Sequence, residues 1–379
     1  MSAAANPAST PAPKSPINLF GLDRAALRAV FAEMGEKPFR ADQVMQWIYR
    51  RGLDDFDGMT NVALALRERM KQCFEIRHPE LVTEQVSKDG TRKWVLRLDG
   101  GNAVETVFIP EDDRGTLCIS SQVGCAMDCS FCSTGKQGLN RNMTTAEIIA
   151  QVWFAARTLG GDFQNERVIS NIVFMGMGEP LANYQPVVTA IRILLDDFGF
   201  GLSKRRVTVS TSGLVPFIDR LKEDVDVALA VSLHAPNDAL RDELVPINRK
   251  YPIAELIESC RRYTDGKNHK AHIVYEYVML DGVNDSPAHA KELARLLGDL
   301  PAKVNLIPFN PFPKAGYRRS QPERIAAFAE ILRSRRIVCT TRKTRGDDID
   351  AACGQLVGEV ASRQKQRLSA IAVKTVSAA

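Results

Sequence analysis

The chain has 379 residues, of which 45% are hydrophobic and 25% charged, with a formal net charge of +5. No run of about 18 apolar residues occurs, which excludes a membrane-spanning helix, and the N-terminus lacks the basic-then-apolar order of a secretory signal. The length suits one large domain with one or two smaller ones. The eight cysteines are gathered rather than spaced as a stapling framework, which suits a reducing, cytoplasmic setting. The mild positive charge permits an RNA partner without demonstrating one; nothing in the sequence suggests more than a monomer.

Residues 1–16 are rich in Ala, Pro and Ser and are expected to be disordered. Residues 17–80 read as a small helical domain. Asp23 is a candidate N-cap for an amphipathic run to about Met34, and Gly35 to Pro38 reads as its stop. Helical spacing resumes from Ala41 to Tyr49, placing Val44, Trp47 and Ile48 on one side, with Arg40, Arg50 and Arg51 decorating it. The functional reading is an RNA-binding module that steers phosphates. On these residues alone, an ordinary packing domain with a solvated basic face is the simpler account.

Residues 81–115 read as an antiparallel strand extension, with turns at Lys88–Thr91 and Gly100–Asn102. Glu105 lies in the run from Val104 to Ile109 and, at a period of two, shares a face with Val107 and Ile109. A carboxylate among apolar neighbours has its pKa raised toward a general-base value; an edge-strand Glu reaching water is an equal alternative.

From Thr116 onward, strands alternate with helical stretches, the pattern of parallel β-α units. The strands are expected at 116–121, 168–176, 206–211, 227–233, 272–280 and 302–308, with a further one near 337–342. Thr144-Thr145-Ala146-Glu147 is a capping box opening a helix whose stripe includes Ile148, Ile149, Val152 and Ala156. Two strands carry a small or polar side opposite a bulky one. Ala228, Ala230, Ser232 and His234 share one side of the first; Thr208, Ser210 and Ser212 share one side of the second. Because buried parallel strands are usually apolar throughout, this habit points to a lumen holding a polar ligand, although packed waters would also satisfy it. Periodicity alone accommodates either a partial barrel or a doubly wound sheet.

The strongest motif is Cys125-Ala126-Met127-Asp128-Cys129-Ser130-Phe131-Cys132, a C-x3-C-x2-C pattern. Three soft thiolates close in sequence select an iron–sulfur cluster, zinc or copper(I). A structural zinc wants four protein ligands, usually as paired motifs, and no second pair is present, so a cluster with one open coordination position fits better. Met175-Gly176-Met177-Gly178-Glu179-Pro180 follows a strand; its two glycines let backbone approach a ligand, and Glu179 can pair with an ammonium group. Cys118 alternates with Leu117 and Ile119 and so projects with Thr116 and Ser120 to the polar side. Cys353 follows three acids and precedes Gly354, a composition that disfavours burial and suggests an exposed, flexible loop able to carry a thiol to a reaction centre. Cys73, Cys260 and Cys339 read as inert small hydrophobes. The densest basic patches are Lys204–Arg206, Arg333–Arg336 and Arg342–Arg345. The tail adds Arg363, Lys365, Arg367 and Lys374, and the joint sign matches an RNA footprint.

The cysteine motif with its flanks, Cys118–Cys125 and Phe131–Gly135, resembles the radical S-adenosylmethionine (SAM) enzymes. Within them it is similar to the RlmN group of adenine-C2 methyltransferases, from about Asn18 to about Arg367. The resemblance implies an α/β fold: a partial (β/α)6 barrel over 116–345, with a helical accessory RNA-binding domain at 17–80 and a β-hairpin extension at 81–115. A catalytic-cysteine loop and basic tail would follow at 346–379. It implies that Cys125, Cys129 and Cys132 hold a 4Fe–4S cluster and that SAM is contacted by Gly178, Glu179, Ser210, Ser232, Leu233, His234 and Asn310. It further implies that two SAM molecules are consumed per turnover, in the following order. The first methylates Cys353. The second yields a 5′-deoxyadenosyl radical that takes hydrogen from the S-methyl group, and the resulting carbon radical adds to C2 of adenine. Glu105 then removes a proton, and Cys118 attacks the sulfur of Cys353, releasing the product with a disulfide. The implied substrates are 23S ribosomal RNA, at the peptidyl transferase centre, and transfer RNA. The implied electron donor is a reductase or flavodoxin-type protein. Spacing does not separate C2 from the C8 chemistry of the related Cfr type. A non-catalytic zinc-dependent RNA-binding protein is the alternative of a different class.

Overall fold

The computed structural model describes residues 15–160, 168–267, 272–312, 315–352 and 354–356. Cys353 and the basic tail from 357 onward lie outside the described residues.

The chain opens with the short strand β1 (Ile17–Asn18) and the helices α1 (Arg24–Glu33), α2 (Pro38–Tyr49) and α3 (Leu64–Cys73), then β2 (Phe74–Glu75) pairs with β1 in parallel. The Asp23 side chain accepts from the Ala26 N–H, capping α1 as anticipated. Pro38 starts α2 rather than ending α1, because a proline at the first helical position loses only an N–H that has no intrahelical partner. α3 was not foreseen; its apolar stripe is reduced to Leu66 and Met70.

The helical part packs on the barrel through aromatic contacts. Trp153 donates its indole N–H to the Ile48 carbonyl at 3.0 Å and packs on Phe20, while Tyr49 packs on Phe200. Of the basic residues singled out in this part, Arg50 donates to the Asp197 carbonyl of the barrel and Arg51 lies over the Trp47 ring. Part of the basic face therefore serves the joint.

The next strands are β3 (Glu80–Val86), β4 (Arg92–Arg97), β5 (Ala103–Glu111) and β6 (Arg114–Cys118), each antiparallel to its predecessor. They form a meander continuous with the main sheet rather than a separate hairpin. A small hairpin, β7 (Gln122–Gly124) with β8 (Leu139–Asn142), encloses the helix α4 (Ser133–Lys136). Then follow α5 (Thr145–Thr158), β9 (Asn171–Phe174), α6 (Tyr184–Leu195), β10 (Val207–Thr211), α7 (Val215–Asp224) and β11 (Ala228–Ser232). The chain continues through α8 (Asp238–Leu244), α9 (Ile253–Thr264), β12 (Ile273–Met279), α10 (Pro287–Leu297), β13 (Ala302–Pro308), α11 (Pro322–Ser334) and β14 (Val338–Thr341).

Among the described residues the main sheet runs β14-β13-β12-β11-β10-β9-β6-β5-β4-β3, with every pair from β6 to β14 parallel. A doubly wound sheet reverses strand order at a switch point. Here the order climbs in one direction, so the crossovers return over the same face and the sheet curls toward a barrel. Its ends, β3 and β14, do not pair, which leaves it partial. Val207, Val209, Leu229 and Val231 bury their side chains in the core, and full burial of such a side chain is worth about 1.5–3 kcal/mol. Ser210, Ser232 and Glu276 stand on the opposite side of their strands and line a cavity.

Candidate active site

The three motif cysteines lie in the loop between β7 and β8. Gly124 and Asp128 take left-handed backbone conformations there, one open to glycine and the other tolerated by Asp. The loop is held on several sides. The Cys125 N–H donates to Gly138 O at 3.2 Å, Ser130 N–H to Leu244 O at 3.1 Å, and the Tyr317 hydroxyl to Ser130 Oγ at 2.8 Å. All three thiols line one cavity with Glu179, Ser210, Ser232, His234 and Asn310. About 920 Å³ of space lies within it, open solvent included.

Burial pushes the Cys125 thiol up to about 12, helped by the nearby Glu179 carboxylate, and raises Cys129 as well. Thiolates at these positions need positive charge beside them, which a metal centre supplies. Among the described residues no three His, Cys, Asp or Glu side chains are grouped to hold a metal ion; three soft thiols lining one cavity are nevertheless the donor chemistry that iron–sulfur clusters use. The donor set therefore fits a cluster with three protein thiolates.

Glu179 is buried. One of its oxygens accepts from the N–H and the hydroxyl of Ser212, both at 2.8 Å, and the other accepts from the Leu181 N–H at 3.1 Å. Burial raises its pKa, and the Ser212 bonds pull it back down. Gly176 and Gly178, before it, line the same cavity and each also makes a close approach within the chain. A Cβ on Gly178, whose φ is 97°, would overlap the Gln122 side chain, and one on Gly176 would meet the Ile119 carbonyl at 2.7 Å. Both permit close approach to the chain's own backbone after β6.

His234 sits beyond the end of β11 with φ of 59°. Its Nδ1 accepts from the Val278 N–H at 3.0 Å, and its ring meets Phe131 of the cysteine loop edge-on at 4.6 Å between centroids. Burial, aided by the Arg241 charge, lowers its pKa to about 3. The ring is thus neutral at ordinary pH, with its proton on Nε2. Leu233 turns its side chain into the core instead. Arg241, which sequence reasoning missed, is wholly buried and ties strand ends together by donating to the carbonyls of Ser212, Ser232 and Leu233 and to Asn248 Oδ1. Glu276, also missed, is a buried carboxylate in the same cavity, with Asn305 donating to it at 2.8 Å.

A second cavity adjoins the first, sharing Met175, Ile307, Asn310 and Arg342 with it. Its wall includes Cys118, Val107, Lys343 and Arg345. Cys118 stands opposite Val107 in the β5–β6 ladder, and Glu105 lies two residues along the same face. Glu105 is 7% exposed and β5 is flanked on both sides, which removes the edge-strand alternative. Its carbonyl accepts from Ser120 Oγ at 2.7 Å, and Lys93 Nζ stands 3.6 Å from its carboxylate.

Cys353 lies outside the described residues, but its neighbours correct the expectation of an exposed loop. Ala351, Ala352, Gln355 and Leu356 are buried. Ala352 lines the second cavity and Gly354 the first. Asp348 accepts from Ser87 Oγ at 2.5 Å, and Asp89 accepts from the Gly346 N–H at 3.2 Å. One of the acids that suggested exposure, Asp348, fastens the segment to the β3–β4 turn. The basic patches separate: Arg342–Arg345 line the second cavity, while Lys204–Arg206 and Arg333–Arg336 precede β10 and β14, at the strand ends remote from it.

Residues 17–76 match the ribosomal RNA large subunit methyltransferase N-terminal domain, and residues 119–296 match the radical SAM superfamily. A dual-specificity RNA methyltransferase RlmN of Marinobacter nauticus is 56% identical over 361 residues, covering 95% of this chain and 98% of that protein. The chain belongs to the RlmN family of radical SAM methyltransferases. Another RlmN relative, from Alkalilimnicola ehrlichii, is 59% identical over 354 residues, 93% of this chain and 97% of its own. A crystal structure of a radical SAM methyltransferase from Sphaerobacter thermophilus superposes with a TM-score of 0.84 at 49% identity, over 90% of this chain and 99% of that one. Membership of the superfamily implies a 4Fe–4S cluster and SAM, and the cavity carries three thiols beside the buried carboxylate of Glu179.

Proposed function

We propose that this RlmN-family chain methylates C2 of adenine in 23S ribosomal RNA, at the peptidyl transferase centre, and in transfer RNA. The observation that carries this reading is the adjacency of two cavities. One is lined by the three motif thiols and the other by Cys118 and Arg342–Arg345, and the residues on either side of Cys353 reach both. Cys125, Cys129 and Cys132 would hold the cluster; Gly178, Glu179, Ser210, Ser232, Leu233, His234 and Asn310 would hold SAM. When bound, this pair supplies one-electron cleavage of a sulfonium and hence a radical strong enough to take hydrogen from a methyl group.

C2 of adenine offers no acidic proton, so direct nucleophilic attack on a methyl donor is unavailable. Cys353 would take a methyl group from one bound SAM, losing its thiol proton, and that methyl group would give up a hydrogen atom at the expense of a second. Addition of its S-methylene carbon to C2 leaves RNA attached through the thioether. The adduct loses one electron, which the bound cluster would accept, and its C2 proton to Glu105. The Cys118 thiolate then attacks the sulfur of Cys353, forming a disulfide and breaking the sulfur–carbon bond, whose electron pair takes up a proton to complete the methyl group. Support for the last step is the placement of Cys118 on the cavity wall beside Ala351 and Ala352. Arg342, Lys343 and Arg345 pair with substrate phosphates. A one-electron donor of the reductase or flavodoxin type completes the cycle, with the enzyme acting as a cytoplasmic monomer.

Anaerobic turnover with SAM and either RNA, followed by mass spectrometry of the digested nucleosides, tests the reaction; 2-methyladenosine is expected, and 8-methyladenosine would place the activity in the Cfr type. Cys118→Ala traps a protein–RNA adduct and Cys353→Ala gives none. Stoichiometric zinc without iron or sulfide in the anaerobically purified protein would overturn the radical reading.

A further inference from the structure

Lys93 sits on β4 opposite Val107, and Val107 is opposite Cys118 on β6, so the three form one row across the inner face of the meander. Both Lys93 and Glu105 are buried. The ammonium stands 3.6 Å from Glu105 Oε1 and also donates to the main-chain carbonyl of Asp350 at 3.2 Å. A lysine is almost never buried without a partner, and this one faces a carboxylate and the C-terminal segment at once. We infer that Lys93 is a positioning residue that keeps Glu105 ionised and holds the Asp350 end of the C-terminal segment in register with it. This rests on the assignment of Glu105 as proton acceptor.

The physical case is one of charge. Removed from water, a carboxylate reverts toward its neutral, non-basic form unless an opposite charge stands close. A cation within about 4–6 Å lowers a carboxyl pKa by about 1–3 units. Among the described residues, the elements packed around Glu105 bring Lys93 on β4, Cys118 on β6, Asp350 of the C-terminal segment and Arg342 after β14 on the adjoining cavity wall. Lys93 reaches both the carboxylate and the segment.

The test is the pH profile of RNA methylation per 5′-deoxyadenosine formed, in holoenzyme reconstituted with cluster and SAM. This ratio removes effects on the reductant and the radical step. In K93M the rising acid limb moves to higher pH by about 1–3 units, with a roughly tenfold loss for each unit of pH below the new limb. K93R keeps the wild-type limb. A superimposable limb in K93M, or equal shifts in K93M and K93R, would overturn the inference. Infrared difference spectra of wild type against E105Q test it without a variant at 93: no protonated carboxyl band of Glu105 is expected at pH 7, and its presence would overturn the inference. An E105Q enzyme with undiminished methylation overturns instead the underlying assignment to Glu105.

Discussion

The Ser133 N–H donates to the Gly354 carbonyl at 2.8 Å, joining the residue after the last motif thiol to the residue after Cys353. One position on, Thr134 Oγ1 donates to the Leu356 carbonyl at 2.6 Å. The helix that leaves the cysteine loop thus holds the C-terminal segment directly. The loop proposed to bind the cluster and the segment proposed to carry the methyl group are one mechanical unit, fastened on its other side by Ser87 and Asp89.

Thr134→Ala removes one half of this attachment and leaves a buried carbonyl unpaired, at a local cost of about 1–3 kcal/mol. Cluster content and SAM cleavage are expected to persist while methylation falls, so that 5′-deoxyadenosine is released without product. Thr134→Ser keeps the hydroxyl and restores coupling. The ratio of 5′-deoxyadenosine to methylated nucleoside reads the effect; an unchanged ratio in the alanine variant would remove Thr134 from this role.

Glu179→Gln tests the SAM site. An amide cannot accept from Ser212 and from Leu181 with both of its ends, since one end is a donor. Loss of a charged acceptor costs about 1.5–3 kcal/mol, so SAM binding measured by equilibrium dialysis should weaken about 10- to 100-fold while iron and sulfide stay stoichiometric. Burial raises the wild-type carboxyl above its ordinary range. Its charge is therefore lost earlier than usual as pH falls, and wild-type affinity should decline toward acid while that of the variant stays flat.

Gly124→Ala strikes the entry to the cysteine loop. The residue has φ of 76°, and a Cβ would overlap the Gly138 carbonyl to which the neighbouring Cys125 N–H is bonded. A non-glycine residue in such a conformation costs about 1–3 kcal/mol before any steric overlap. The expected outcome is a folded chain, by far-ultraviolet circular dichroism, that takes up less iron. A normal cluster spectrum would show that the loop does not depend on this approach.

The parts legible in the sequence are those with a period or a spacing. Ser210, Ser232 and His234 alternate with apolar residues, and that alternation placed them on one wall, where they line the cavity. The Asp23 cap and the Thr144–Glu147 capping box are local and were read correctly. Arg241 lies in a seven-residue helix with no pattern to distinguish a buried arginine from an exposed one, and it acts through carbonyls brought together only by the sheet. Lys93 reads as an ordinary strand lysine until β5 and the C-terminal segment are laid beside it. The exposure expected around Cys353 failed for a similar reason. Asp348 and Gln355 are polar, yet their bonds go to Ser87 and to the Pro311 carbonyl, partners remote in sequence.

His234 links stability to pH. Its imidazole is held neutral, with a folded-state pKa of about 3 against an ordinary 6.5, first by burial and then by Arg241. The unfolded chain binds the proton from about pH 6.5 downward while the folded chain refuses it until about pH 3. Its contribution to stability is therefore complete above pH 6.5 and declines as pH falls through that window. At 1.36 kcal/mol per unit, moving from pH 7 to pH 5 costs about 2 kcal/mol. His234→Asn suits the φ of 59°, since Asn tolerates the left-handed region, and its side-chain oxygen can accept from the Val278 N–H. Urea denaturation across pH 5–7 should show that the asparagine variant lacks this part of the slope. Equal slopes in the two proteins would mean that His234 is protonated in the folded state, and the neutral tautomer assigned from the Val278 bond would be wrong.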